Sequence, residues 1–244
     1  MAAVRAVLFD FGGTLFDYET LAAGEREALI DLARWAGIEA DERDIRRTYR
    51  AELKRVFYDY LNRPYYLHRD LFDAVLHGLA KVYGVSLSAE LLGRYRAAQF
   101  ARRTQDFVLR DGVQDTLRAL RSKGFHLGIV SNVDDDQFSH MLQLSGLAPY
   151  FDALLTSQQA RSCKPDPGIF RRALEQAGCE PRQAFFVGDS LDQDIAGANR
   201  LGLRSVLIWS RDDQPPPDRE PRPQHVIRHI PDLLPLIAEA RKDG

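Results

Sequence analysis

The sequence has little cysteine, no long apolar run and almost no net charge. Cys163 and Cys179 are its two cysteines, with no CxxC and no Cys/His cluster, which excludes a disulfide framework and a structural zinc site. No stretch approaches the ~18 to 20 apolar residues needed to cross a bilayer. Met-Ala-Ala-Val-Arg leads straight into a strand-like run rather than a signal peptide, so a cytoplasmic protein with no membrane partner is expected. Lys and Arg number 33 against 35 Asp and Glu, a formal charge of −2, which argues against a polycation that coats nucleic acid. What is present is ordinary: 45% hydrophobic and 28% charged residues over a 244-residue chain, enough for one large or two modest domains. Nothing in the sequence speaks to oligomeric state.

Four short apolar runs stand out, at Val4 to Phe9, His126 to Val130, Ala184 to Val187 and Arg204 to Trp209. They are too short for helices and do not alternate, the pattern of strands covered on both faces in a parallel sheet. Helical spacing runs through Val113 to Ser122, Asp136 to Ser145, Pro167 to Ala177 and Leu191 to Leu201, closed by Gly124, Gly146, Gly178 and Gly202. Strand and helix in alternation predict a doubly wound, Rossmann-like parallel α/β sheet. His225 to Ile230 reads as a last strand and Asp232 to Arg241 as a closing helix, after a proline-rich connector at Arg211 to Gln224.

The stretch 18–105 is different, because it holds several amphipathic helical patterns and no strand. Helices are expected through Leu21 to Ala36, Asp41 to Leu61, Leu67 to Tyr83 and Ser88 to Arg103. The expected division is therefore a core of residues 1–17 and 106–244 with a helical insert at 18–105.

The ends of three strands carry chemistry. Asp10 follows the first run, and Phe11-Gly12-Gly13-Thr14 supplies a turn whose amides can approach an anion. Ser131 and Asn132 end the second run and can hydrogen-bond a phosphoryl oxygen or cap the next helix. Lys164 precedes a proline-marked helix start, where it can neutralise an anion or simply be solvated. Gly188-Asp189-Ser190-Leu191-Asp192-Gln193-Asp194 brings an acidic cluster to the end of the third run. Asp189 and Asp194 converging with Asp10 would repel unless a cation lies between them, and an oxygen-only donor set suits Mg²⁺.

This ordered set resembles the haloacid dehalogenase superfamily of phosphatases and related hydrolases, over essentially the whole chain. The resemblance implies that Asp10 is a nucleophile forming an aspartyl-phosphate. Ser131 and Lys164 would then bind the transferred phosphoryl group, beside Gly12, Gly13, Thr14, Asn132 and Ser190. Mg²⁺ would be held by Asp10, the Gly12 carbonyl, Asp189 and Asp194. The helical insert resembles the family's four-helix cap, and the implied partner is a small phosphorylated metabolite.

One residue departs from that pattern. Phosphatases of the superfamily carry a second Asp two residues after the nucleophile, as a general acid, and here Gly12 stands in its place. Such an acid is worth ~10² to 10⁴ in rate. Asp17, Glu19 or the run Asp134-Asp135-Asp136 could replace it, the leaving group could need no proton, or the protein could be a degenerate binding or regulatory module. Dehalogenases and phosphonate-cleaving relatives also lack the second Asp. The former use no metal and lack the Gly188-Asp189-Ser190 pattern, and the latter need a cap lysine, for which Lys54 and Lys81 are the candidates.

Overall fold

The computed structural model describes residues 3–210, 214–216 and 218–242; within the proline-rich connector, Arg211 to Asp213 and Pro217 lie outside the described residues. The chain divides into two compact units, one built from the flanking stretches up to Asp17 and from Val108 onward, the other from Tyr18–Phe107.

In chain order the elements are β1 (Ala6–Phe9), four helices α1 (Tyr18–Trp35), α2 (Glu42–Leu61), α3 (His68–Val82) and α4 (Ala89–Asp106), then α5 (Val113–Ser122), β2 (His126–Ser131), α6 (Asp135–Ser145), β3 (Ala153–Thr156) and a one-turn α7 (Ser157–Ala160). They continue with α8 (Pro167–Ala177), β4 (Ala184–Gly188), α9 (Ala196–Leu201), β5 (Arg204–Ile208), β6 (His225–Ile227) and α10 (Leu233–Lys242).

The strands form a six-stranded sheet in the order β3-β2-β1-β4-β5-β6, and every pairing is parallel. This is the doubly wound Rossmann-like α/β architecture. All four residues of β1 are buried, as expected of a central strand covered on both faces. Ala6 and Leu8 join Phe186 of β4 and Ile169 and Phe170 of α8 in one apolar cluster. Phe9 points to the other face and meets the edge of Phe151, with ring centroids 6.1 Å apart. The chain winds outward from β1 through β2 to β3 and then crosses to β4 on the opposite side of β1. Strand order therefore reverses between β1 and β4, and ligands of such sheets bind at that reversal.

Two elements differ from the sequence reading. The strand β3 was not among the four runs: it is an edge strand of four residues, half-buried at its start, and it passes into α7 with no Gly or Pro to mark its end. The helix expected from Leu191 opens with a π turn at Leu191–Ile195, in which the amides of Asp194 and Ile195 both reach the Ser190 carbonyl, at 2.9 and 3.1 Å.

In the helical unit α1 packs on α4 and α2 on α3, around a core that includes Leu32, Ile45, Leu76, Leu79 and Leu92. Side chains of Asp41 and Ser88 cap the first turns of α2 and α4 by accepting from the amides of Asp44 and Leu91. Among the described residues no helix is long and apolar enough to cross a membrane.

The α8–α9 contact is tight enough to test. A Cβ at Gly197 would stand 2.2 Å from the ring of Phe170, which is fully buried. Gly197→Val is expected to cost roughly 1 to 3 kcal/mol in urea unfolding. Adding Phe170→Leu should recover part of that loss; strictly additive effects would show that the ring is not the obstacle.

Candidate active site

Parallel registry sets the site. Phe9 pairs with Ile129 on one side and with Val187 on the other, so the residues just beyond these ends meet at one edge of the sheet. Asp10 leaves β1 with its amide bonded to the Val187 carbonyl at 2.8 Å. Ser131 closes β2, and Asp189 follows β4. Lys164 arrives from the turn between α7 and α8.

The Lys164 ammonium is fully enclosed and lies 2.6 Å from Asp10 Oδ1 and 2.7 Å from Asp194 Oδ1. Carboxylate oxygens of Asp10, Asp189 and Asp194 all fall within 4.8 Å of one another. Thr14 Oγ1 donates to Asp10 Oδ2 at 3.2 Å and Ser131 Oγ to Asp10 Oδ1 at 3.4 Å. The Asp10 carboxylate is thereby held from three directions.

The remaining predicted residues take supporting positions. Asn132 donates to the Lys164 carbonyl at 2.9 Å and to Gln193 Oε1 at 3.3 Å, and its own Oδ1 accepts from the Lys164 amide at 2.7 Å. Its amide group is thus spent on fixing the turn that aims Lys164. Ser190 Oγ accepts from the Gln193 amide at 3.3 Å, and the Ser190 amide donates to Asp194 Oδ2 at 3.0 Å, which turns Asp194 back over the strand end. Gly12 bridges to Phe16, and the Gly13 amide donates to the Phe16 carbonyl. Gly13 has φ +85°, and a Cβ on it would stand 2.3 Å from Asp189 Oδ2. A side chain there is barred both by backbone conformation and by the carboxylate.

Arg110 carries no sequence signal, yet it grips this loop. Its Nε and Nη2 donate to the Gly13 carbonyl at 3.1 and 2.7 Å, and its Nη1 pairs with Asp17 at 3.2 Å. The acids considered as replacements for the missing one are largely engaged. Asp17 is bound to Arg110, Asp135 accepts from the Thr156 hydroxyl and Asp136 from the Gln137 amide, while Asp134 is buried. Lys54 and Lys81 are exposed, so neither has the desolvated setting that would make a lysine a nucleophile.

Charge explains how these groups titrate. Burial alone would favour a neutral Lys164, but the carboxylates of Asp10 and Asp194 outweigh it and hold the ammonium above the usual lysine range. Burial raises Asp189, and the charges of Asp10 and Asp194 push it further up against the opposing pull of Lys164. Asp194 is also raised by burial, but less, because Lys164 touches it directly. Three carboxylates face one ammonium, and only a proton on Asp189 or a bound cation relieves their repulsion.

The fold and these groups define a hydrolase-type centre at the switch point of a Rossmann-like sheet, with a buried carboxylate, a lysine and an acidic cluster. The chain belongs to the haloacid dehalogenase-like hydrolases, whose family model matches residues 4–202. It is 33% identical over 248 residues to a glyceraldehyde 3-phosphate phosphatase from Methanopyrus kandleri, covering 98% of this chain and 100% of that protein. Among solved structures, a HAD phosphatase from Thermococcus onnurineus aligns with a TM-score of 0.69 at 28% identity, over 96% of this chain and 98% of that one. The HAD-hydrolase YfnB from Bacillus subtilis, crystallised bound to magnesium, aligns with a TM-score of 0.76 at 25% identity, over 97% and 99% of the two chains.

The charge imbalance predicts opposite effects for two substitutions in metal-free buffer. Lys164→Met removes the ammonium that Asp10 and Asp194 share and should cost ~3 to 5 kcal/mol. Asp189→Asn removes a repelled carboxylate and should raise Tm by about 2 to 4 °C, equivalent to ~1 kcal/mol for a chain of this size. Melting curves in EDTA decide; a lower Tm for Asp189→Asn would mean that the three carboxylates do not repel.

Proposed function

We propose that the chain is a Mg²⁺-dependent phosphatase acting on a small phosphorylated metabolite through an aspartyl-phosphate on Asp10. The observation that carries this reading is the trio Asp10, Asp189 and Asp194, close enough to share one ion and facing a single ammonium. An all-oxygen donor set of this kind fits a hard divalent cation. The phosphatase names of relatives such as the Methanopyrus kandleri protein, and the magnesium in the Bacillus subtilis structure, support the same reading.

Asp10, Asp189 and Asp194 would hold Mg²⁺ together with the Gly12 carbonyl. When bound, the ion supplies charge neutralisation at the phosphoryl oxygens and allows a substrate anion to approach a carboxylate. Asp10 attacks phosphorus with one carboxylate oxygen, the bond from phosphorus to the leaving oxygen breaks, and water then cleaves the acyl phosphate. Thr14 and Ser131 orient that carboxylate. The Lys164 ammonium and the Ser131 hydroxyl offset charge on the transferred group, and Asn132 fixes Lys164 in place. Gly13 lets the loop lie against Asp189, and Arg110 anchors it from behind. The helical unit, inserted between Asp17 and Val108, takes the role of substrate-selecting cap.

Gly12 offers no proton. Asp17, Glu19, Asp134, Asp135 and Asp136 already have partners, so preferred substrates are those whose leaving group departs as a stable anion, such as acyl or aryl phosphates. Alkyl phosphates should turn over ~10²-fold or more slowly.

Phosphate release from a panel of acyl, aryl and alkyl phosphates should require Mg²⁺ and vanish in Asp10→Asn. Halide release from 2-haloacids without metal would replace this reading with a dehalogenase, and binding without turnover would replace it with a regulatory module. Gly12→Asp should raise alkyl phosphate turnover by at least tenfold while leaving aryl phosphates nearly unchanged, because only the former needs the restored donor. In differential scanning calorimetry Mg²⁺ should raise the Tm of the natural chain but not that of Asp189→Asn.

A further inference from the structure

The helical unit holds an uncompensated positive recess. Most of its arginines have partners: Arg34, Arg47, Arg55, Arg96, Arg102 and Arg103 pair with carboxylates. Arg63 and Arg94 lie over the rings of Tyr60 and Trp35, and Arg69 has a partner as well. Among the described residues of the unit, Arg26, Arg43, Arg46 and Arg50 have none. All four line one place. Arg43, Arg46 and Arg50 border a depression of about 590 Å³ along α2. Arg46 and Arg50 also border an adjoining hollow of about 160 Å³, shared with Arg26, Glu25 and Leu29 of α1 and with Tyr49 and Tyr95.

This arrangement is costly for a helix surface. Positions 43, 46, 47 and 50 fall three, four and seven residues apart, so like charges share one face of α2 and repel. Nearby acids relieve them only in part, since the one carboxylate that lines the hollow, Glu25, is also bound to Arg103 and Gln99. Glu25, Glu27 and Asp31 of α1 are drawn to Arg102 and Arg103 of α4, and Asp44 to Arg47. The floor holds the half-buried Tyr49 and the buried Tyr95 beside the Glu25 carboxylate. Burial, followed by the Glu25 charge, pushes the Tyr49 hydroxyl up to about 12, so it remains a proton donor at neutral pH. Tyr95 Oη accepts from Gln99 Nε2 at 3.2 Å, leaving its own proton to donate elsewhere. A recess of this size falls in the ~300 to 1,000 Å³ range of small-molecule sites.

We infer that the recess lined by Arg26, Arg43, Arg46 and Arg50 is a binding site for a small oligophosphate anion, separate from the carboxylate centre at the sheet edge. Several guanidinium groups around one hollow match a compact chain of phosphates, each taking charge-assisted bonds from planar donors. Nucleic acid fits less well, since the positive charge is gathered at one hollow rather than drawn out along a track, and the chain as a whole carries a formal charge of −2. The assignment is independent of the phosphatase reading and concerns residues of the helical unit alone.

Isothermal titration of the full chain with inorganic tripolyphosphate in EDTA tests it. Saturable one-to-one binding is expected, weakened at least tenfold in Arg46→Gln/Arg50→Gln and only partly in Arg46→Lys/Arg50→Lys. The Gln pair should melt at or above the Tm of the natural chain without ligand, because repulsion is relieved, and should keep its KM for the phosphate ester used in the hydrolysis assay. Absent binding, binding unaffected by the Gln pair, or tighter binding of a single-stranded or duplex oligonucleotide at the same salt would overturn the inference.

Discussion

The ammonium of Lys164, held between Asp10 and Asp194, is the interaction on which the core unit's site depends. An ion pair taken out of water returns its desolvation cost only if geometry and further hydrogen bonds are good. Here both contacts are at or below 2.7 Å; Thr14 and the Ser190 amide satisfy the other carboxylate oxygens, and Ser131 adds a second donor to Asp10 Oδ1. Asn132 clamps the Lys164 backbone from both its amide atoms. The ammonium thereby joins chain segments far apart in sequence: the ends of β1 and β2, the turn before α8 and the π turn after β4. The sheet brings those ends together, but only charge gives them a common focus.

The same physics decides what could be read from the sequence. Strands buried on both faces leave dense apolar runs, and chemistry placed at their carboxyl ends follows each run directly, so Asp10, Ser131 and Asp189 were legible. Lys164 was legible as a residue, but the strand that delivers it was not. An edge strand such as Ala153–Thr156 needs neither length nor full burial, and its four residues leave no pattern. Asn132 was visible as a polar residue at a strand end, yet its partners are backbone atoms 32 residues away, which no local pattern encodes. Arg110 was invisible for a related reason, since its guanidinium acts on a carbonyl 97 residues earlier. The π turn is a matter of two shifted hydrogen bonds, Ile195 to Ser190 and Ala196 to Leu191, too small a change to alter helical spacing.

Unbalanced charge is the feature that sets functional groups apart from structural ones in both units. Across the helical unit ion pairs mostly close on themselves, often three or four residues apart along one helix, which is how a solvated helix surface looks. Two places break that rule, with opposite sign: the carboxylate trio of the core unit and the arginine recess of the helical unit. Each holds charge that folding alone would not select, because like charges at close range reduce stability. On the readings proposed above, a bound counter-charge would resolve both, a metal ion in one and an oligophosphate in the other.

The loop after β1 separates steric necessity from chemical choice. Gly13 is forced to be glycine, by its φ of +85° and by the Asp189 carboxylate where a Cβ would stand. Gly12 is under no such backbone constraint, since it is absent from the glycines with positive φ. An aspartate at position 12 would therefore meet no left-handed strain. Glycine at position 12 leaves the loop without a proton donor where the phosphatase pattern has one, and no positive φ demands it. On the proposed reading, a site with Asp10 as nucleophile, Lys164 and the acidic cluster but without that donor would keep the means to capture and stabilise a phosphoryl group. What it has given up is assistance to the leaving group, and the substrates that lose least by that change are those whose leaving oxygen is already acidic.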